Sequence, residues 1–159
     1  MAKKKSKKNY NERTDIEKIE SQWTKLSGLH SREEWSAAVI RAATAAELAA
    51  NLAIRHEFAA RSELDDPFVD NLLRWANGLT GKLDKILLPL LRGQEKQASV
   101  SKLCALARKV NDKRNDIAHR GVFCSKKEAT AQIANCKKFV VGLVRHYVDD
   151  FDLHEKPSS

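Results

Sequence analysis

Glycine and proline are scarce in this chain, with 6 glycines and 3 prolines among 159 residues. Tight turns depend on these two residues, so the chain has little material for them. Alanine, leucine, lysine, arginine and glutamate are abundant instead, and all five favour helices. The composition therefore predicts a single domain built from long helices.

Cysteine is also rare: Cys104, Cys124 and Cys136 are odd in number, and no two of them form a Cys-x-x-Cys pair. Disulfide frameworks need pairs, and zinc sites usually use such short spacings. Four histidines likewise lie apart from any cysteine or carboxylate cluster: His30, His56, His146 and His154. We therefore expect reduced, buried thiols, no metal and no cofactor.

Long apolar runs are missing as well, since no stretch approaches the roughly 20 residues that cross a bilayer. The lysine-rich start is not followed by a hydrophobic region, so it does not resemble a secretory signal. Glycine-rich phosphate loops and the Gly-x-Ser-x-Gly elbow are absent from the sequence. We expect a cytoplasmic protein that has no membrane partner and no P-loop or serine-hydrolase chemistry.

The net charge of +8 favours polyanionic partners such as RNA. Five positive charges come from one basic run near the start: Lys3, Lys4, Lys5, Lys7 and Lys8. Without these five lysines the net charge falls from +8 to +3, so the folded part is only mildly basic. We expect a disordered basic tail over residues 1–12, a helical domain over 13–152 and a flexible tail over 153–159.

Helix starts are marked by capping boxes. In a capping box the hydroxyl of the N-cap residue accepts a hydrogen bond from the N3 amide, and the side chain of a glutamate at N3 accepts one from the N-cap amide. Three such boxes occur, at Thr14–Glu17, Ser31–Glu34 and Ser125–Glu128. Asp66 before Pro67 predicts a fourth start, because proline at the first helical position loses no hydrogen bond.

Behind these starts, apolar residues recur at three- and four-residue steps. The first helix is expected to stop at Gly28, and the second to run from about 32 to 61 with alanines along one side. The third carries a stripe that contains Phe68 and Trp75, which we interpret as core residues, and it ends or kinks at Pro89.

The fourth helix is predicted to begin near Ser99 or Ser101, and the fifth follows Ser125. No segment has the alternation of a strand. The sequence thus predicts an all-α fold, an up-and-down bundle of four main helices with a shorter N-terminal helix.

A polar segment around Arg114 and His119 lies between the fourth and fifth helices. With Ile117 on the core side at zero, Asn115 falls at roughly 160° and His119 at roughly 200° around the helix, while Arg114 falls near 60°. His119 therefore faces solvent, a cleft or another subunit, unless the helix has already ended, as Gly121 allows.

Arg114, the polar Asn115 and His119 together resemble the Arg-x(4–6)-His motif of the HEPN superfamily (higher eukaryotes and prokaryotes nucleotide-binding domains). The resemblance covers roughly residues 31–150, because the alanine-rich second helix, with Glu47 in its middle, and the helix after the motif also fit. It implies a metal-independent endoribonuclease, with RNA as substrate and a homodimer in which two Arg/His pairs meet in one cleft.

The resemblance also implies roles for single residues. His119 would act as general base or acid, since histidine titrates near physiological pH. Arg114 would hold the phosphate through its guanidinium fork, and Asn115 would orient His119 from one turn away. Lys113 and Arg120 are candidates for binding the RNA backbone.

Other interpretations stay open. Arg114 and His119 could simply form ion pairs or cap the end of their helix, where cations are favourable. The chain could be a non-catalytic HEPN-like module that binds nucleic acid, or a bundle that binds a protein partner as an immunity or scaffold subunit. Some toxin members of the family carry a tyrosine shortly after the histidine, and here Arg120, Gly121 and Val122 follow instead. A defence or toxin role therefore lacks that signature.

Overall fold

The computed structural model describes residues 8–61, 64–76 and 78–154. Six helices account for most of them, and these ranges contain no strand. The helices are α1 (Asp15–Ser31), α2 (Trp35–Arg61), α3 (Asp66–Trp75), α4 (the consecutive pieces Leu79–Gly81, Lys82–Leu87 and Leu88–Leu90), α5 (Gln97–Arg120) and α6 (Lys126–Val144). The all-α class predicted from the sequence is confirmed.

The long helix α2 lies at the centre of the fold and packs against α1, α4, α5 and α6. Its contacts are made largely by fully buried alanines: Ala38, Ala42, Ala45, Ala46, Ala49, Ala50 and Ala53. The small side chain lets neighbouring helices approach closely, so the alanine stripe is a packing surface. α5 and α6 also come close, since a Cβ on Gly142 would lie 2.9 Å from Leu103 Cδ2.

Among the described helices, α2 is the one that is long and apolar enough to span a bilayer by length and composition. The sequence had led us to expect no such segment. Most of the apolar window is buried against the other helices, so packing within the fold accounts for its hydrophobicity.

The predicted third helix is broken between Trp75 and Leu79, which separates α3 from α4. Gly78 has a φ of 85° there, a left-handed conformation that glycine adopts without steric cost. In one continuous helix Trp75 and Leu79 would share a face. The break leaves Trp75 83% exposed while Leu79 is buried. The prediction of core positions is therefore wrong for Trp75 and for Phe68, which is also exposed. α3 buries Val69 and Leu73 instead.

Two of the three predicted capping boxes are confirmed. In the first, the Glu17 amide donates to Thr14 Oγ1 at 3.2 Å and the Thr14 amide donates to Glu17 Oε2 at 2.7 Å. In the second, the Glu128 amide donates to Ser125 Oγ at 3.2 Å and the Ser125 amide donates to Glu128 Oε2 at 2.9 Å. These bonds satisfy amides that a helix start otherwise leaves without partners.

The box predicted at Ser31 is wrong, because Ser31 is the last residue of α1. Its hydroxyl donates to the carbonyl of Ser27 at 2.8 Å and cannot cap the next helix. Gly28 does not end α1 either. Leu29 packs against the core and extends the helix past the glycine, and the turn into α2 uses a positive φ at Glu33.

Smaller shifts occur at other helix ends. The cap of α3 is Asp65, one residue before the predicted position, and Pro67 lies in its first turn. Pro89 lies within the last short piece of α4. The next helix starts at Gln97, two residues before Ser99.

Side-chain contacts extend to both ends of the described chain. The Tyr10 hydroxyl accepts a hydrogen bond from Gln22 at 2.8 Å, and Leu153 is buried. The remaining parts of the predicted tails, residues 1–7 and 155–159, lie outside the described residues.

All three cysteines are free and buried, as expected. Burial raises the pKa of Cys104 to about 11 and that of Cys136 to about 12. The pKa of Cys124 is also raised, again mainly by burial. These thiols therefore stay protonated and act as small apolar side chains.

Candidate functional site

The Arg114–His119 segment occupies the last turns of α5, which continues to Arg120. Gly121 ends the helix in the left-handed conformation, with a φ of 64°. The Gly121 and Val122 amides both donate to the carbonyl of Asp116, which closes the last turn. His119 is therefore still helical, and its direction is set by the helix.

His119 is exposed and makes no hydrogen bond or ion pair within the described chain. It points away from the core, as the helical geometry predicts. Arg114 and His119 are five positions apart, which separates them by about 140° around the axis and about 7.5 Å along it. Arg114 and His119 of one chain thus project in different directions.

Arg114 is half-buried and donates from Nη1 to Oδ1 of its neighbour Asn115 at 3.1 Å. The predicted partner of Asn115 is His119, but the amide oxygen of Asn115 accepts its hydrogen bond from Arg114. The other N–H groups of the guanidinium make no hydrogen bond within the described residues. Asn115 therefore positions Arg114, and the imidazole of His119 has no orienting partner from its own chain.

The two predicted backbone-binding cations differ in their surroundings. Lys113 donates to Glu128 at 2.8 Å and ties α5 to α6. Hydrogen bonds from Lys113 and from the Ser125 amide lower the pKa of Glu128 to about 2, so this carboxylate stays ionised. Arg120 pairs with Asp116 at 3.3 Å, and its side chain is 76% exposed. Arg120 is the more available of the two, because exposed pairs of this kind are weak.

A small apolar cluster lies beside the motif, separate from the main core; it consists of Val39, Cys124 and Ala129 with Trp35 and Ile117. The Cys124 amide donates to Ser36 Oγ at 3.0 Å, which ties the loop after His119 to the start of α2. Sequence analysis missed this cluster, because its contacts join residues that are far apart in the chain and follow no local pattern.

Glu47, which lies in the middle of α2, bonds to a buried lysine. Lys82 Nζ lies 2.7 Å from Glu47 Oε1, and Lys82 is almost fully buried. Lys82 begins the π-helical piece of α4. The carboxylate of Glu47 therefore joins α2 to α4 and forms no ion pair with Arg114 or His119.

Two large apolar side chains are exposed immediately after the motif. Val122 is 43% exposed and Phe123 is 91% exposed. Both lie in the short loop between the end of α5 and the Ser125 cap of α6. Sequence analysis did not single out Phe123, since nothing in its local pattern distinguishes an exposed phenylalanine from a buried one.

The segment around the motif carries a local excess of positive charge. The segment 113–128 contains five cationic side chains and two carboxylates, a net of three positive charges. The basic run at the start contributes five more, and together these equal the net charge of +8. The remaining residues carry equal numbers of positive and negative charges in total, but other stretches are as basic locally, such as residues 96–111 with four cations and no carboxylate.

Comparison of the chain with protein-family models, with curated protein sequences and with solved structures finds no match. The resemblance to HEPN domains thus depends on the motif residues and on the helical architecture alone.

Proposed function

We propose that this protein is a metal-independent endoribonuclease of the HEPN type that acts as a homodimer. The observation that carries the proposal is the placement of Arg114 and His119 on the last turns of α5. There the exposed histidine has no partner in the described chain, and the half-buried arginine is held by Asn115. The positive excess of the segment 113–128 supports a polyanionic substrate.

The proposed reaction uses the 2′-hydroxyl of RNA as nucleophile. His119 removes the proton of this hydroxyl, and the 2′-oxygen attacks the adjacent phosphorus. The bond between phosphorus and the 5′-oxygen breaks, and the 5′-oxygen takes up a proton from water. The products are a 2′,3′-cyclic phosphate and a free 5′-hydroxyl. The guanidinium of Arg114 stabilises the negative charge that builds up on the phosphate oxygens.

A second copy of the chain supplies the partner group that a single chain cannot bring to the phosphate. Arg114 and His119 of one chain diverge by about 140° around the helix, and the mechanism needs an imidazole and a cation at the same phosphate. A two-fold axis beside the end of α5 brings one chain's histidine next to the other chain's arginine. The homodimer is therefore part of the proposal.

We also propose an up-and-down arrangement, with one change from the prediction: α1, α2, α5 and α6 are its four long helices, because the third predicted helix is divided into α3 and α4 and α1 spans 17 residues. Short turns, residues 32–34 and 121–125, join the two consecutive pairs. Connections of that length favour antiparallel neighbours.

The test is cleavage of a single-stranded RNA by purified protein in the presence of EDTA. We expect His119→Ala and Arg114→Ala each to lower the rate at least about 100-fold, the usual scale for loss of a general base or of an oxyanion-stabilising group. His154→Ala and Arg92→Ala are matched controls, because both residues are exposed and lie outside the segment 113–128. The new 3′ ends are expected to carry a cyclic phosphate.

Equal cleavage by the wild type and by both site variants would contradict the site. RNA binding without cleavage would favour the alternative, a non-catalytic module that binds nucleic acid. The cations of the segment 113–128 fit this alternative as well, because they bind phosphate groups whether or not a bond is cut.

A further inference from the structure

Phe123 is exposed although its loop is held firmly on both sides. On the N-terminal side, the Gly121 and Val122 amides donate to Asp116. On the C-terminal side, the Cys124 amide donates to Ser36 Oγ, and the Cys124 side chain is buried. The backbone next to Phe123 is therefore fixed, and the fold itself presents the ring to solvent.

An exposed phenylalanine gives up the stabilisation that burial of its ring provides. Cys124 next to it is buried in the cluster with Val39 and Ala129, so apolar surface is available close by. The ring of Phe123 nonetheless remains 91% exposed. An aromatic ring held in this way offers a flat, apolar surface to a ligand.

The charges around this ring are predominantly positive. Arg120 precedes the loop, and Lys126 and Lys127 follow it in the exposed first turn of α6. The two carboxylates of the segment already have partners, since Asp116 pairs with Arg120 and Glu128 with Lys113. Lys126 and Lys127 form no ion pair within the described chain.

A second aromatic ring lies at the same end of the fold. Lys126 Nζ is 5.9 Å from the centre of the Trp35 ring, and Trp35 packs edge to face against His30 at 4.9 Å. Aromatic rings interleaved with cations are the combination that single-stranded nucleic acids bind, with bases on the rings and phosphates on the cations.

We propose that Phe123 is a stacking platform for an unpaired nucleobase next to the phosphate at Arg114 and His119, and that Arg120, Lys126 and Lys127 bind the neighbouring phosphates. This inference rests on the proposed function for the position of the cleaved bond, and it adds a substrate class. A base can stack on Phe123 only when it has left a duplex, so the substrate is single-stranded RNA or an RNA loop.

The experiment measures binding separately from cleavage. A fluorescein-labelled, fully 2′-O-methylated single-stranded oligonucleotide cannot be cut by this chemistry, and its affinity is read from fluorescence anisotropy. We expect Phe123→Ala to weaken binding about tenfold or more, as for the loss of one base stack. Phe123→Trp keeps the platform and retains the affinity.

Phe68→Ala is the matched control, because Phe68 is also an exposed phenylalanine but lies on α3. It is expected to bind like the wild type. Lys127→Ala is expected to lower the salt dependence of binding by about 0.7 in the slope of log K against log salt, the value for one phosphate contact with a single strand. The slope for Phe123→Ala stays unchanged.

The proposal is overturned by equal affinities of Phe123→Ala and Phe68→Ala, by equal binding of a duplex of the same sequence, or by no binding by the wild type. Loss of dimers in Phe123→Ala with unchanged affinity for the oligonucleotide also overturns it, because the ring would then serve a protein contact. Binding that depends on Phe123 in a protein that cuts no RNA supports the platform and rejects the proposed catalysis, so the two failures are distinguishable.

Discussion

Glu57 shows at the scale of single residues how this fold accommodates a buried charge. Its carboxylate is almost fully buried at the end of α2 and has four partners: Lys96 at 2.6 Å, Tyr147 at 2.8 Å, Arg61 at 3.2 Å and Gln94 at 3.2 Å. The Lys96 ammonium also lies 4.5 Å from the centre of the Tyr147 ring. This cluster joins the end of α2 to the start of α5 and to the turn after α6.

We expect Glu57→Gln to destabilise the protein by about 2–4 kcal/mol, because two cations near a buried carboxylate lose their counter-charge. Urea unfolding followed by circular dichroism measures the change. Glu95→Gln is the matched control, since Glu95 is exposed, and it is expected to stay within about 0.5 kcal/mol of the wild type. Equal stabilities of the two variants would contradict a structural role for the cluster.

The stability of the protein is also expected to depend on pH through Glu57. Burial alone would raise the pKa of Glu57, but hydrogen bonds from Lys96, Tyr147 and Gln94 outweigh it and the pKa is lowered. A carboxyl whose pKa is lower in the folded state stabilises the protein above its unfolded pKa of about 4.3. That contribution is lost as the pH falls through the folded pKa. The stability difference between wild type and Glu57→Gln should therefore shrink below about pH 4.

For residues of the candidate site, the sequence predicted only those properties that follow from local helix geometry. The helix repeat predicted that His119 points away from the core, and the exposed side chain confirms it. The structure shows Asn115 accepting a hydrogen bond from Arg114 and none with His119; the helix repeat does not choose between side-chain rotamers. Whether Phe123 is exposed depends on which distant parts of the chain pack against it, and the local sequence does not contain this information.

At the scale of helices, two serines with the same sequence pattern have different roles. Ser125 caps α6, whereas Ser31 ends α1 and bonds back to Ser27. We expect Ser125→Ala to destabilise the protein by about 1 kcal/mol, the usual effect of losing an N-cap hydroxyl. Ser31→Ala should change the stability by less than about 0.5 kcal/mol. Thermal unfolding of both variants provides the measurement.

Equal stabilities of the two variants would contradict the different roles of Ser125 and Ser31. Ser125→Ala is also expected to weaken RNA binding slightly, because the cap lies at the end of the loop that carries Phe123. Comparing RNA binding by Ser125→Ala with that by Ser31→Ala separates this contribution from stability.

The third predicted helix shows why helix boundaries were harder to predict than helix existence. One stripe contained Phe68, Trp75 and Leu79 at helical spacing, so one long helix was the simplest interpretation. Gly78 breaks it, and the chain re-enters the core with a new helical phase. Periodicity records the spacing of apolar residues, but it does not record which side of the helix the rest of the protein covers.

At the scale of the whole molecule, one end of the fold combines the motif, the exposed aromatic ring and the positive excess. The contact of His30 with Thr130 and the bond between Cys124 and Ser36 bring parts of α1, α2 and α6 to the end of α5. A dimer that forms at this end would place two copies of each feature around one cleft. Its assembly can be tested with complementary variants.

We expect a mixture of Arg114→Ala and His119→Ala chains, refolded together, to recover at least about tenfold more RNA cleavage than either variant alone. In a mixed dimer one chain retains His119 and the other retains Arg114, so one composite site is complete. Light scattering on the wild type should show a dimer at micromolar concentration. A monomer in solution, or no recovery in the mixture, would contradict the composite site.

The sequence by itself determined the helical class, two capping boxes and the outward direction of His119. Each of these depends on interactions between residues three or four positions apart, which a linear sequence displays directly. Only the tertiary structure decided that Glu57 is held by four partners, that Asn115 holds Arg114, and that Phe123 stands exposed beside the motif. Most of these contacts join residues that are distant in the chain, and exposure is a property of the whole packed surface. The motif thus indicates a candidate site, and the fold decided which side chains surround it.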